Sequence, residues 1–224
     1  MEYTEYSFDY PLFMLLNFDG GQAMDSLMTA VSGVGMWIPM YLLMLWLVWR
    51  RYGWGGALLF LAAAAVAMGL SDIVCGVFKH SGPLKNLWPS FPARWRPMYT
   101  PALEGFDIAP DSMMAWRRSA EAADYASTVH VVGTGNGRFG TVSSHAATIV
   151  AMAVLACNAV KMRWFTWFMT AVVLLICYSR IYLACHFPGD LTLGAATGAA
   201  VGYVAYRLFA AADRAAMRIK ERRE

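Results

Sequence analysis

The stretch from Ser26 to Trp49 contains no Asp, Glu, Lys or Arg and ends on the pair Arg50-Arg51, and a second uncharged stretch follows at once, from Gly53 to Ser71. Crossing a hydrocarbon layer of about 30 Å takes about 20 apolar residues in a helix. Two such runs back to back leave one economical solution, a membrane helix bundle. Composition agrees. Hydrophobic residues make up 58% of the 224 and charged residues 15%, against about 45–50% and about 25% in soluble domains. That excludes a disordered chain, a disulfide miniprotein and an ordinary cytosolic globule. Cys75, Cys157 and Cys177 lie in apolar runs and Cys185 in a loop, with no CxxC pair and no zinc spacing. Neither a disulfide framework nor a thiolate metal site is indicated, and no metal or cofactor is expected. A net charge of +3 is too small to argue for a nucleic-acid partner; the partners expected are the lipid bilayer and a lipid.

The rest of the chain reads as three further spans. The second helix continues past Asp72 to Lys79. Residues 79–142 are polar and rich in Pro and Gly, forming a long loop. A third span starts near Ser143 and stops at Lys161 and Arg163; a fourth runs from Trp164 to about Tyr182; a CHFPGD turn leads into a fifth, from about Asp190 to Tyr206, and then a basic tail, 207–224. The fold expected is therefore all-α, one domain over 1–224, with five spanning helices. Residues 1–25 carry five acids and no Lys or Arg, unlike a signal peptide. Within them Tyr10–Asn17 is apolar but too short to span, and reads as an interfacial segment. With alternating spans, Arg50-Arg51, Lys161–Arg163 and the tail fall on one side, which the positive-inside rule makes cytoplasmic. The N-terminus and the 79–142 loop are then outside. Pro39 starts or kinks the first helix. GAATGAAVG in the fifth places small residues at helix-packing spacing, read as contact within the chain.

The few ionisable residues near helix ends converge. Lys79, Ser143, His145, Arg180, His186 and Asp190 all fall at outer ends, and Arg96-Pro97 lies in the outer loop. Intramembrane ionisable residues face the bundle interior or a polar cavity. Two His, an Asp, two Arg and a Lys suit a phosphate: the cations match a dianion, one His attacks and the other donates a proton. A helix N-terminus at Ser143–His145 adds free N–H groups. Singly, Ser143 and Asp190 read equally well as N-caps; His80 and His130 read as loop residues, and Arg50 and Arg51 as solvated or lipid-facing charges. Gly135-Asn-Gly137-Arg-Phe-Gly140 is a literal GxGxxG, but no acid follows before Asp190 and an apolar helix replaces the second half of a βαβ unit, so a dinucleotide site is rejected. Those glycines turn the loop back toward the helix mouth. Arg138 is a candidate headgroup contact, with a plain surface role the equal alternative.

Ser179-Arg180-IYLAC-His186-FPG-Asp190, Val142-Ser143-Ser144-His145 and Lys79…Arg96-Pro97 resemble the three motifs of the type-2 phosphatidic acid phosphatase superfamily: Ser-Arg-x5-His-x3-Asp, Pro-Ser-Gly-His and Lys-x6-Arg-Pro. The third is complete. The second has Val for Pro and Ser for Gly. The first has Pro89 where the family has Lys, and sixteen residues between Lys79 and Arg96 where the family has six, an insertion of ten. Lys79 has the helix-end position; Lys85 is the rival. The resemblance implies that His186 is a nucleophile forming a phosphohistidine. It implies that Asp190 accepts from its other ring nitrogen and that His145 protonates the leaving oxygen. Lys79, Arg96, Arg180, Ser143 and the Ser144 N–H would hold the phosphoryl oxygens without a metal. Implied substrates are lipid phosphates or pyrophosphates at the outer face of a membrane, in a bacterium the cytoplasmic membrane with the site toward the periplasm. Undecaprenyl pyrophosphate and lipid A phosphate are favoured, with phosphatidylglycerol phosphate, phosphatidate and a phosphotransfer reaction as alternatives. A haloperoxidase-like activity and a non-catalytic lipid-binding role rank lower. The long loop is expected to read the headgroup, with Trp88, Trp95, Trp116, Arg117 and Arg118 as candidate contacts.

Overall fold

The computed structural model describes residues 9–100, 112, 115, 129–132 and 137–221. Among the described residues six helices carry the fold: α1 (Tyr10–Leu16), α2 (Gly21–Ser32), α3 (Ile38–Phe78), α4 (Ser144–Val160), α5 (Arg163–Tyr182) and α6 (Pro188–Glu221). Short 3-10 turns cover Gly35–Trp37 and Pro97–Tyr99. No strand occurs among the described residues; the one β-bridge pairs Trp95 with Phe139.

The first apolar run is not one helix. It is cut at Gly33, which closes α2 in an extended conformation (ψ 152°), and restarts through the 3-10 turn. Pro39 lies in the first turn of α3, where its missing N–H costs nothing, so it starts the helix and does not kink it. Within α3 the helical path breaks at Gly53 (φ 68°, ψ −172°). That left-handed region is open to glycine and strained for L side chains, so α3 is two arms, 38–52 and 54–78, folded about the basic pair. Gly35–Phe78 and Arg163–Tyr182 are long and apolar enough to cross a membrane, with mean hydropathies of 2.2 and 1.5; Ser144–Val160 is apolar but shorter. The sixth helix continues through most of the basic tail, far past Tyr206. Tyr10–Leu16 of the interfacial segment is helical.

α4 lies at the centre, packed against α3, α5 and α6. Ala151, Leu155, Ala156 and Ala159 are wholly buried on it. Its contact with α6 is backbone on backbone. A Cβ added at Gly194, Gly198 or Gly202 would come 2.5, 2.2 and 2.4 Å from the carbonyl oxygens of Ser143, Ala147 and Ala151. Both sets recur every four residues, so two smooth stripes face each other. Such small-residue seams allow the dispersion contacts and helix approach that drive association in lipid. The seam also fixes the register of the two N-termini, where the Ser143 N–H donates to the Asp190 carbonyl at 3.0 Å.

At the opposite end, Arg51 Nη1 donates to the Val160 carbonyl (2.7 Å) and the Tyr52 hydroxyl to that of Ala159 (3.1 Å). These satisfy orphan carbonyls at the C-terminus of α4. Arg51 is therefore a structural cap as well as a surface charge, while Arg50 stacks over Trp46 at 5.0 Å. A smaller core closes the other end of the molecule around Phe13, Met98, Tyr99, Tyr182 and Phe187. Asn17 pins α1 there, donating to the carbonyls of Ile181 (3.2 Å) and Tyr182 (2.8 Å). His130 joins this core. Its Nε2 lies 2.8 Å from Asp25 Oδ1, and its backbone N–H donates to Asn17 Oδ1 at 2.8 Å. Asp25 also accepts from the Tyr182 hydroxyl, and these two bonds, Tyr182's the larger, hold its carboxyl below the usual range.

Gly198→Ala should push α4 and α6 apart. Overpacking of this kind costs about 1–3 kcal/mol, so the midpoint of thermal unfolding in detergent should fall. Gly69→Ala, where nothing lies within 4 Å, should leave it unchanged or slightly raised.

Candidate active site

Three chain segments meet where α4 and α6 begin. The first is 94–96. Pro97 biases Arg96 to an extended backbone (ψ 150°), and this stretch pairs with 138–141: the Arg96 N–H donates to the Arg138 carbonyl (3.0 Å), the Gly140 N–H to that of Arg94 (2.8 Å). In extended chain alternate side chains share a side. Trp95 therefore turns away and packs edge-on against Phe139 (5.6 Å), while Arg94 and Arg96 both point at the site.

The second segment is the turn after α5. Ala184 takes a left-handed conformation (φ 53°), and the Arg180 carbonyl accepts from the N–H groups of both Cys185 (2.9 Å) and His186 (3.2 Å). The Ala184 carbonyl accepts from the Met98 N–H at 3.0 Å, tying this turn to the 3-10 turn after Arg96. Pro188 then opens α6. The third segment is the start of α4. Ser143 is the N-cap, its Oγ accepting from the Ala146 N–H at 3.4 Å. Val142 before it has φ 57°. A proline ring cannot take that angle, so the departure from the family's Pro at this position matches the backbone found here.

His186 sits among these segments with 1% of its surface exposed. Its Nδ1 is 3.0 Å from the Gly140 carbonyl and its Nε2 is 3.0 Å from Arg96 Nη1. A carbonyl only accepts and a guanidinium only donates. The ring is therefore neutral, with the proton on Nδ1 and the lone pair on Nε2. Burial first, and then the charges of Arg96, Arg180, Lys79 and His145, keep its pKa well below the ordinary 6.5. A neutral imidazole whose unprotonated nitrogen faces cations has the form that attack on a bound anion requires.

The cations are individually held. Arg96 donates through Nε to the Gly137 carbonyl (2.6 Å) and through Nη1 to that of Cys185 (2.9 Å). Arg180, 5% exposed, donates to the Ser32 hydroxyl at the end of α2. Lys79 Nζ donates to Ser144 Oγ at 2.8 Å, whereas Lys85 is exposed. Of the two lysines, Lys79 is the one that meets the start of α4. Burial pushes its pKa down to about 8. His145, in the first turn of α4, is exposed at the mouth, and Arg138 offers its carbonyl to the site while its side chain faces out.

Asp190 departs from expectation in detail. Its Oδ2 lies 3.7 Å from His186 Nδ1, beyond hydrogen-bond length, and the Gly140 carbonyl takes the place expected of it. The reason is that its oxygens are engaged elsewhere. Oδ2 accepts from the Phe187 N–H (3.1 Å) and Oδ1 from Arg94 Nη2 (2.9 Å). The bond back to Phe187 is one half of a capping box, so Asp190 is the third residue of α6 and not its N-cap. Sequence reasoning missed Arg94, Asp9 and Gly140. Arg94 was signalled by its two-residue offset from Arg96. Gly140 was signalled by the glycine run, whose last member leaves no room for a side chain: a Cβ there would meet Asp190 Oδ2 at 2.8 Å. Asp9, eighty-five residues from Arg94, carried no local signal. Trp116, Arg117, Arg118 and Gly135 lie outside the described residues.

Among the described residues one group, Asp19, Asp25 and His130, has ligand atoms within 4.8 Å of one another. Asp25 is already bonded to His130 and Tyr182, so the group is accounted for as a structural cluster.

Residues 60–214 match the family model of the PAP2 superfamily. The chain belongs to that superfamily. Among similar proteins, the lipid A 4'-phosphatase of Bacteroides thetaiotaomicron is 28% identical over 90% of this chain and 78% of its own length. That of Porphyromonas gingivalis is 26% identical over 88% and 71%. The crystal structure of Aquifex aeolicus LpxE superposes with a TM-score of 0.60 over 92% of this chain and 99% of that one, at 16% identity, a likeness of fold. The PAP2 match begins within the second arm of α3, so α1, α2 and the first arm lie before it.

Gly140→Ala should displace the carbonyl that fixes the His186 tautomer. Displacements near 1 Å cost about 10²-fold in rate, so phosphate-ester hydrolysis should fall by roughly 10- to 100-fold while the protein still elutes as a folded species.

Proposed function

We propose that this chain is a lipid A phosphatase of the bacterial cytoplasmic membrane, acting at the outer face through a phosphohistidine on His186. That it is a phosphatase acting on a lipid phosphate rests on its PAP2 membership and its relatives. Lipid A is preferred over undecaprenyl pyrophosphate because both of these relatives carry that substrate in their names. The observation carrying the mechanism is the fixed tautomer of His186, with Nδ1–H on the Gly140 carbonyl and the Nε2 lone pair facing cations.

In the reaction, Lys79, Arg96 and Arg180 take the phosphoryl oxygens, helped by Ser143 and the N-terminal N–H groups of α4. The Nε2 lone pair forms a bond to phosphorus as the bond from phosphorus to the lipid oxygen breaks, and that oxygen takes a proton from His145. Water then gives a proton back to His145 and attacks phosphorus. The P–Nε2 bond breaks, its electron pair returns to His186, and phosphate leaves. In this scheme the side chains supply the charge stabilisation.

Five spans fit this reading: the two arms of α3, then α4, α5 and α6. Their basic ends, at Arg50-Arg51, at Lys161 and Arg163 and along the tail, gather on one side, as the Arg51–Val160 bond supports. The His186 site lies at the other. Helices α1 and α2 then lie along the outer interface, with Leu12, Leu15, Phe18 and Leu27 exposed.

The test is phosphate release by purified protein from lipid A, undecaprenyl pyrophosphate and phosphatidylglycerol phosphate. Lipid A should be hydrolysed fastest, and His186→Ala and His145→Ala should each lose at least about 10³-fold, as removal of a nucleophile or its partner does elsewhere. Full activity in His186→Ala would overturn the mechanism. A second expectation concerns pH. Lys79 is a cation below its pKa of about 8 and loses its charge above it. Since kcat/KM reports groups of the free enzyme, kcat/KM should fall above about pH 8, and Lys79→Arg should move that limb upward.

A further inference from the structure

Behind His186, on the side away from the cations, two carboxylates share one guanidinium. Arg94 makes a two-pronged pair with Asp9, Nη1 to Oδ1 and Nη2 to Oδ2, both at 3.0 Å, and Nη2 also reaches Asp190 Oδ1 at 2.9 Å. Both carboxylates are 1% exposed. The Arg94 guanidinium lies over the Phe187 ring at 4.3 Å, which restrains its plane. Asp9 Oδ2 also accepts from the Gly189 N–H at 2.8 Å, so the residue before α1 grips the first turn of α6 as well.

We propose that Asp9 and Arg94 are positioning residues for the His186 reaction: together they hold Asp190 ionised and in one orientation 3.7 Å behind the ring of the nucleophile. This rests on the reading of His186 as the nucleophile. When Nε2 bonds phosphorus, the ring becomes cationic, and a negative charge behind it lowers the energy of that state. Two buried carboxylates as neighbours cannot both stay charged without a cation between them. Arg94 is that cation. Asp9 completes its fork, leaving Nη2 shared with Asp190. Neither residue belongs to the three motifs, and Asp9 lies outside the span matched by the superfamily. An N-terminal segment thereby acts on a reaction whose other parts come from 79–190.

The experiment compares wild type, His186→Ala, Arg94→Leu, Arg94→Lys, Asp9→Asn and the double variant Arg94→Leu/Asp9→Asn, by steady-state phosphate release and thermal unfolding in detergent. The expected result is a fall in kcat of roughly 100-fold for Arg94→Leu and roughly 10-fold for Asp9→Asn, with KM within about twofold. Arg94→Lys, which keeps the charge, should recover at least part of kcat. Because Asp9 acts through Arg94, the double variant should be no slower than Arg94→Leu. If His186→Ala loses activity while Arg94→Leu, shown folded by its melting, keeps wild-type kcat, the inference is overturned and the proposed function stands. It is overturned in the same way if the two losses simply multiply, if KM rises in place of the fall in kcat, or if Arg94→Lys is as slow as Arg94→Leu. If Arg94→Leu fails to fold, Asp9→Asn and Arg94→Lys decide by the same kcat criterion. Full activity in His186→Ala would overturn the proposed function and this inference with it.

Discussion

The contact of α4 with α6, backbone against backbone, is the constraint from which the site follows. Gly194, Gly198 and Gly202 let the carbonyls of Ser143, Ala147 and Ala151 come closer than any side chain would allow. With the two helices in that register, their N-termini start side by side, and the Ser143 N–H meets the Asp190 carbonyl. Every chemical group is placed from there. Ser144 and His145 stand on one helix start, His186 and Asp190 on the approach to the other. Lys79 reaches Ser144 from the end of α3. Lipid offers little hydrophobic drive for helix association, so this precision has to come from close packing, which a seam of glycines provides.

Charge is sorted around the imidazole. On the Nδ1 side lie a carbonyl and the two carboxylates, neutralised by Arg94. On the Nε2 side lie Arg96, Arg180 and Lys79, and the bonds holding Arg96 and Lys79 run to carbonyl and hydroxyl oxygens and to the neutral His186 ring. Neutral acceptors fix these cations in place without cancelling their charge. The mouth therefore stays positive for an anion, while the carboxylates needed behind the ring do not reach across to quench it.

Much of this was legible in the sequence, because spans and motif spacings are local. Uncharged runs marked the helices, and Ser179-Arg180-x5-His186-x3-Asp190 marked residues that the fold gathers at one end of the bundle. The helix-end position favoured Lys79 over Lys85 for the proposed phosphate contact, and Lys79 is the one bonded to Ser144. What was not legible depends on contacts across long sequence distances or on backbone angles. The first apolar run looked continuous because nothing polar interrupts it; its break at Gly33 is conformational. The partner of His186 Nδ1 is a main-chain carbonyl, which no side-chain pattern encodes. Asp9 meets Arg94 only after α1 folds over the turn before α6. Arg51 looked like an interfacial charge until the turn at Gly53 set it beside the open carbonyls of α4.

The bond between Arg96 and His186 Nε2 has a consequence for when the site reacts. On the proposed reading of His186 as the nucleophile, Arg96 donates to the very lone pair that attacks. Anything that is to be attacked must first draw Arg96 away, and a phosphoryl oxygen, which competes strongly for a guanidinium, does so on arrival. A neutral ester offers no such competition and leaves the lone pair covered. In that reading the same arginine is guard and host, covering the nitrogen from neutral esters and yielding it to a phosphoryl group.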